Sequence, residues 1–271
     1  MSAGSSILKY TVFVFFTSIC FLSNAQDRIF TFTYQSTVLN KGQREIEIWN
    51  TVRTGREDFY ARLDHRTEFE IGLGGKLQTA FYLNLTAKTK TSGEAPAKSL
   101  QTENEISFSN EWKLKLMDPV ANPFGLALYA EYGIGTNEFE LEGKVILDKK
   151  INNLTIAANA VYEAELAPFY SSSRLDWEKE SKLEFYLSFG YALNSRFNLT
   201  LENSLRSVYT DKTLNHSAFF AGPGFSWLLD NFWVNFTVMP QLVSLKGETN
   251  STLNLNEYEK VQFRLLFSFA L

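Results

Sequence analysis

The sequence predicts an all-β chain, a transmembrane antiparallel up-and-down β-barrel of about twelve strands. Three observations carry this expectation. From about residue 43 onward, stretches of roughly ten or more residues alternate apolar and polar side chains, the period of a two-faced strand. The connections between them are short on one side and include longer ones on the other. Aromatic residues make up 15% of the chain and gather near the stretch ends, as at Phe59, Trp112, Phe124, Tyr191, Trp227 and Phe232, which suits girdles at a membrane interface.

The clearest stretch is Phe59 to Ile71. One face carries Phe59, Ala61, Leu63, His65, Thr67, Phe69 and Ile71, the other Tyr60, Arg62, Asp64, Arg66, Glu68 and Glu70. A helix would scatter these charges around its circumference, whereas a strand puts them on one side. Arg44 to Arg53 precedes it, and the stretches beginning at Leu77 and ending at Leu116 repeat the pattern. Phe124 to Ile134, Phe139 to Leu147, Leu154 to Leu166, Leu183 to Tyr191 and Phe197 to Leu205 follow. Phe219 to Leu229, Phe232 to Leu242 and Val261 to Leu271 complete twelve.

The short connections are Gly72 to Gly75, Asp148 to Lys150, Leu193 to Ser195 and Asp230-Asn231, with Met117 to Pro123 somewhat longer. The opposite set includes Thr89 to Thr102, Pro168 to Asp176, Tyr209 to His216 and Ser244 to Asn256, together with tight hairpins near Gly55 and Gly135. Short periplasmic turns and longer extracellular loops are the asymmetry of a barrel in a bacterial outer membrane. An even strand count then puts both chain ends in the periplasm. A soluble sandwich also alternates, but its strands average only about 5–6 residues. Here many run past the roughly 9–11 that cross a bilayer. Phe263, Leu265, Phe267, Phe269 and Leu271 alternate to the end of the chain. They resemble the terminal-strand signal read by the barrel-assembly machinery, with Leu271 where an aromatic residue is usual.

Residues 1–25 read as a cleaved secretory signal: Lys9, an apolar core from Tyr10 to Leu22, and a small-x-small site at Ser23-Asn24-Ala25. Ile19 before Cys20 argues against a lipoprotein site, and export would leave no cysteine, hence no disulfide or thiolate. Residues 26–42 form a periplasmic leader, a plug entering the barrel or an extra strand, with Phe30, Phe32 and Tyr34 alternating against Thr31, Thr33 and Gln35. Residues 43–271 are the barrel.

The stretch Phe32-Thr33-Tyr34-Gln35, then Val38-Leu39-Asn40-Lys41-Gly42, then Gln43 to Trp49, resembles an uncharacterised Bacteroidota-type family of outer-membrane barrels. In that family a leader ends in a Leu-x-Lys-Gly turn and an acidic-apolar first strand follows. The resemblance is specific over about residues 30 to 85 and implies a fold and a Gram-negative outer-membrane location. It brings no activity with it.

The polar faces supply the candidate lumen-lining and ion-pairing residues: Glu47, Arg62, Asp64, Arg66, Glu68, Glu70, Lys76, Glu111, Lys113, Glu131, Glu184, Arg206 and Arg264. Simple hairpin pairing sets Lys76 opposite Glu70, and Glu47 beside or diagonal to Asp64 and Arg66. Twelve strands lie between a filled eight-strand barrel and an open sixteen-strand porin, so a narrow or partly filled lumen is expected. Its acid excess favours cations. Asn84, Asn153, Asn198, Asn235 and Asn250 head Asn-x-Ser/Thr triplets, which in strands put Asn and Thr on the polar face. Pro223 and Pro240 cannot donate to a ladder, so a bulge or weakened seam is expected between strands ten and eleven.

His65 is the sharpest oddity on an apolar face, near mid-strand with Thr67 two residues on. Barrel lipases of the outer-membrane phospholipase family carry a Ser and a His on the outer surface, but here the neighbour is Thr67 and the sequence reveals no orienting group. His216-Ser217 lies by a loop. The sequence therefore assigns no catalytic residue, no metal and no cofactor, and it has no basic block for nucleic acid. It points to a non-enzymatic, porin-like barrel, partnered by outer-membrane lipid and, during assembly, by the barrel-assembly machinery. Such a barrel would pass or bind small polar solutes. The alternatives are a closed structural barrel whose outer loops bind partners or glycans and, less favoured, a lipid-active barrel enzyme.

Overall fold

A computed structural model describes residues 28–93, 97–136, 138–171, 174–247 and 251–271. The signal-peptide expectation and Cys20 fall outside the described residues. Twelve strands run β1 (Arg44–Thr54), β2 (Tyr60–Gly74), β3 (Leu77–Ser92), β4 (Ser99–Met117), β5 (Gly125–Gly135) and β6 (Phe139–Ile151). They continue β7 (Leu154–Ser171), β8 (Arg174–Ala192), β9 (Phe197–Thr210), β10 (Thr213–Leu228), β11 (Phe232–Lys246) and β12 (Val261–Ala270). Each pairs antiparallel with its neighbours in sequence, and β1 pairs with β12 from Glu45↔Ala270 to Thr54↔Val261, so the sheet is a closed barrel. Closure removes the two edges that an open sheet of this size would expose.

The side-chain alternation decides which way each strand faces. Phe81, Leu83 and Leu85 of β3 stand about two-fifths exposed on the outside, while Gln78, Ala80 and Tyr82 are buried inside. Glu45 and Glu47 of β1 are almost wholly buried. Apolar-out and polar-in is the inverse of a soluble domain and matches a wall that meets lipid.

The barrel has a turn end and a loop end. Both chain ends of the barrel lie at the turn end, where the Leu271 amide donates to the Arg44 carbonyl. The turns there are tight: Gly75-Lys76 and Asn152-Asn153 each use a left-handed residue, with φ of 71° at Lys76 and 53° at Asn152. At the loop end the strands run further than their polarity suggests. Tyr209 to His216 is not a loop: β9 and β10 meet across Asp211-Lys212, both at positive φ, the pattern of a two-residue type I′ hairpin. Pro168 to Asp176 likewise lies largely within β7 and β8. Ser, Thr and Lys mark where a strand leaves the bilayer, not where its ladder stops.

The seam expected at the prolines is present and tight. β10 slips register against β11 at Ser217/Ala218 and again at Phe219/Phe220, and no pair forms between Phe220↔Gln241 and Gly224↔Thr237. Pro223 and Pro240 fall in that gap. A Cβ on Gly222 would collide with the Val238 carbonyl, so the two backbones press together rather than part.

Candidate functional site

Residues 28–39 lie inside the barrel and belong to no strand. A segment without a ladder must find partners for its buried amides elsewhere. Glu202 of β9 supplies three of them in a row. Its carboxylate accepts from the backbone N–H of Thr31 (2.8 Å), Phe32 (2.8 Å) and Thr33 (3.1 Å), and from the hydroxyls of Thr31 (2.9 Å) and Thr237 (2.7 Å). Asn159 grips Tyr34 from both sides, accepting from its N–H at 2.7 Å and donating to its carbonyl at 3.0 Å. The Leu39 amide donates to Gln78 at 2.9 Å, and the Ile29 amide donates to Gln35 at 3.0 Å, folding the segment back on itself.

The alternating aromatics of this segment find apolar partners within the lumen. Tyr34 packs with Trp49, Tyr129, Ile146, Trp233 and Leu266. Phe32 packs with Ala218, Phe220, Met239 and Tyr258, directly behind the β10–β11 seam. Cations are held against these rings. The Arg28 guanidinium lies 4.4 Å from the Tyr34 centroid and 4.3 Å from that of Trp49, Lys144 lies 4.1 Å from Tyr34, and Arg264 lies 3.9 Å from Phe32. Each such contact in a desolvated place contributes about 2 kcal/mol.

Beside this packing sits a square of glutamates: Glu45 pairs across the ladder with Glu70, and Glu47 with Glu68. Like charges directly opposite are destabilising, so their partners matter. Arg28 reaches Glu47 at 3.3 Å, Trp49 Nε1 donates to Glu47 at 2.8 Å, and Trp233 Nε1 to Glu45 at 2.8 Å. Buried Lys113 lies on the neighbouring wall, as does Glu111, which accepts from the Tyr82 hydroxyl. Glu45, Glu47 and Glu70 have metal-like spacing, as do Glu140, Glu163 and Glu165. In the first triplet, two of the three carboxylates already serve Arg28 and the indoles.

Toward the loop end the lumen is charged and partly exposed. Arg53 and Arg62 both hold Asp64, at 2.8 and 2.5 Å, and Arg66 reaches Glu131 at 3.2 Å. Lys182 pairs with Glu163 at 2.6 Å and also with Glu165, and Lys144 with Glu142 at 2.6 Å. The described part of the β11–β12 loop folds inward on the β9–β12 side. Asn254 and Gln241 exchange hydrogen bonds, Tyr258 donates to the Arg206 carbonyl at 3.2 Å, and Glu259 lies 3.6 Å from Arg53 and 3.7 Å from Arg206. Burial pushes the Glu259 carboxyl upward, but those two guanidiniums outweigh it and hold it below the usual carboxylate range.

Of the residues the sequence singled out, Glu47, Glu68, Glu70, Glu111, Lys113, Glu131 and Arg206 are buried in the lumen. Arg62, Asp64, Arg66, Glu184 and Arg264 are inward and half-buried. Lys76 is a correction. It occupies the Gly75-Lys76 turn, is exposed, and its ammonium donates to the Leu116 carbonyl, because β2 runs on to Gly74 and leaves Lys76 no place in the ladder. Glu70 therefore faces Ala80, and Glu47 faces Glu68, with Arg66 diagonal to it as expected and Asp64 one same-face position further along. Asn84, Asn198 and Asn235 line the lumen, Asn153 lies in a turn, and Asn250 is outside the described residues. The group that orients His65, not evident in the sequence, is Asn50 of β1.

The family model described as "Family of unknown function (DUF6662)" matches residues 22–271. The chain belongs to that family. No curated protein sequence matches it. Among solved structures it is similar to the COG4313 outer membrane channel from Pseudomonas putida F1, at 12% identity and TM-score 0.60 over 87% of this chain and 98% of that one. It is also similar to the beta domain of the Bordetella autotransporter BrkA, at 10% identity and TM-score 0.56 over 86% and 100%. The NanC porin is similar at 14% identity and TM-score 0.53 over 83% and 100%. At such identities the likeness establishes the fold, that of the outer-membrane β-barrels.

Sequence reasoning missed Glu202, Asn159, Trp49 and Trp233. Glu202 left a trace: it is the one carboxylate on a β9 face that also carries Asn198, Thr200, Ser204, Arg206, Val208 and Thr210. An isolated buried acid of that kind needs donors from outside its own hairpins.

Proposed function

We propose that the protein is an outer-membrane barrel that admits small polar solutes, cationic ones preferentially, from its loop end into a charged vestibule. In this reading the loop end faces the cell exterior and the turn end the periplasm. The observation that carries the proposal is the contrast along the lumen axis. The β6–β8 wall presents Glu140, Glu142, Glu163, Glu165, Glu180 and Glu184 against Lys144 and Lys182, all half-buried. Below them residues 28–36 fill the cross-section with buried side chains. An acid-lined cup concentrates cations. Its floor contributes no strand to the barrel, so moving the floor leaves the wall's ladder intact.

Planar-bilayer recording of the purified full chain tests this. The expected result is a mostly silent barrel with brief cation-selective openings, and a higher open probability in Glu202→Gln, which weakens the grip on the Thr31 to Thr33 amides. Silence in both proteins would favour the second reading, a closed barrel that presents its extracellular hairpins to partners or glycans. The aromatic and cation–π packing of the floor is the observation on that side.

A further inference from the structure

We propose that Thr67, His65 and Asn50 form a hydrolytic site on the lipid-facing wall, directed at the ester of an acyl lipid in the outer leaflet. It is independent of the lumen. His65 and Thr67 point outward from β2, and Asn50 points outward from β1 directly across the ladder from His65. His65 Nδ1 lies 2.9 Å from Asn50 Oδ1, and His65 Nε2 lies 3.1 Å from Thr67 Oγ1. An acceptor at Nδ1 fixes the proton there and leaves the Nε2 lone pair facing the hydroxyl. That is the nucleophile, base and orienter relation of a hydrolytic triad, recognised by geometry rather than chain order.

The plainer explanation is that outward polar groups satisfy one another, and a second cluster on the same wall shows what that looks like. Thr79 and Asn110 are only 5% and 3% exposed. The Asn110 amide donates to the Thr79 hydroxyl and to the Ala80 carbonyl, while Trp112 donates to Asn110. The cluster is sealed, with its donors spent on backbone. The His65 cluster is half-exposed, among Val52, Leu63, Leu83 and Leu85, each more than two-fifths exposed. Polar side chains facing lipid carry a cost that a Leu at position 65 would avoid.

The height on the barrel suits an ester. His65 lies level with Asn50, Leu85 and Ile106 along the strand pairings. Just beyond that row the outward face turns polar, at Thr89 on β3 and Asn104 on β4, and β1 ends at Thr54. The cluster therefore sits in the loop-end half of the apolar band, and because Leu63, Ala61 and Phe59 continue that band on the β2 side, a lipid ester reaches it by sinking below the headgroup level.

In the first step Thr67 Oγ1 attacks the acyl carbonyl carbon as its proton passes to His65 Nε2. The tetrahedral adduct collapses, the C–O bond to the lipid alcohol breaks, and the leaving oxygen takes the proton from His65. Water then adds to the acyl-threonine with the same base, releasing fatty acid and restoring the hydroxyl. Among the described residues the Asn50 side chain hydrogen-bonds His65 alone, and it acts as a positioning residue. The only side chain that hydrogen-bonds Thr67 among the described residues is His65. No oxyanion donor is preassembled, and each such donor is worth about 10²–10³ in rate. Covalent capture is therefore a better readout than turnover.

The test treats the folded full chain, verified by heat-modifiable gel migration, with an alkyl fluorophosphonate, followed by peptide mass mapping. Separate arms measure fatty-acid release from phospholipid vesicles and from vesicles carrying lipopolysaccharide, which distinguishes the two ester sources. The expected result is a single adduct on Thr67, absent in Thr67→Val and at least tenfold slower in His65→Leu and Asn50→Leu. Asn50→Asp should restore labelling, and one lipid arm should release fatty acid in the parent protein only. All three residues face lipid, so the apolar variants keep the barrel folded. The proposal is overturned if Thr67 stays unlabelled, if Thr67→Val labels equally, if His65→Leu or Asn50→Leu labels at the parent rate, or if neither lipid is cleaved.

Discussion

The two halves of the lumen solve the same problem in different ways. Both are lined with charge. The turn-end half is dry: Arg28, at 4% exposure, serves Glu47, at 1%, and rests on the Tyr34 and Trp49 rings while the Trp49 indole donates to Glu47. The loop-end half is wet: Arg62, at 33%, serves Asp64, at 22%, with water in reach. An ion pair's value depends on what replaces it when one partner is lost. In the dry half nothing does, and in the wet half water does. The pairing is the same, a guanidinium beside a carboxylate, and burial separates floor from cup.

The sharpest way to break the comparison is at Glu202. Glu202→Ala leaves three backbone N–H groups of the segment without their acceptor, at about 1–3 kcal/mol each. A Thr33→Cys reporter should be unreactive to thiol labels in the parent barrel and reactive when Glu202→Ala is added. Arg28→Ala comes next. It strands a buried carboxylate, so a loss of about 3–5 kcal/mol is expected, read as a lower midpoint of heat-modifiable migration. Glu259→Gln should loosen the inward-folded loop by less. The Glu259 carboxyl is held below its usual range, so its contribution is present at neutral pH and lost as pH falls through that lowered value. Protease nicking within residues 251–257 should rise on acidification in the parent and be raised and flat with pH in Glu259→Gln. The smallest effect belongs to Arg62→Ala, about 0–1 kcal/mol. If Arg62→Ala matched Arg28→Ala in midpoint shift, the division of the lumen into dry and wet halves would be wrong.

The wall was legible in the sequence and its contents only in part. Alternation such as Phe81, Leu83 and Leu85 against Ala80, Tyr82 and Asn84 reports one strand's two faces and needs no partner to be read. Register needs two strands, and one strand's pattern does not carry it. The polarity of Lys76 continues the strand pattern, yet the tight turn claims it. Asn50 was invisible as the partner of His65 because only the β1–β2 pairing brings them together. The path of residues 28–39 depended on acceptors scattered over β3, β7 and β9, none of them adjacent in the chain.

The fold-back closed by the Ile29 amide and Gln35 has a topological consequence. Phe32 reaches furthest up the lumen, to Phe220 and Tyr258, while Ile29 and Phe30 return to Gly190, near the turn end of β8. The segment is thus a bent finger rather than a thread. A thread would have to be laid through the ring before β1 met β12, or pass a chain end through it afterwards. A finger can be pushed in from one opening after the ring has closed, and drawn out the same way without passing a chain end through the barrel. Nothing in the topology therefore ties seating of the floor to closure of the wall.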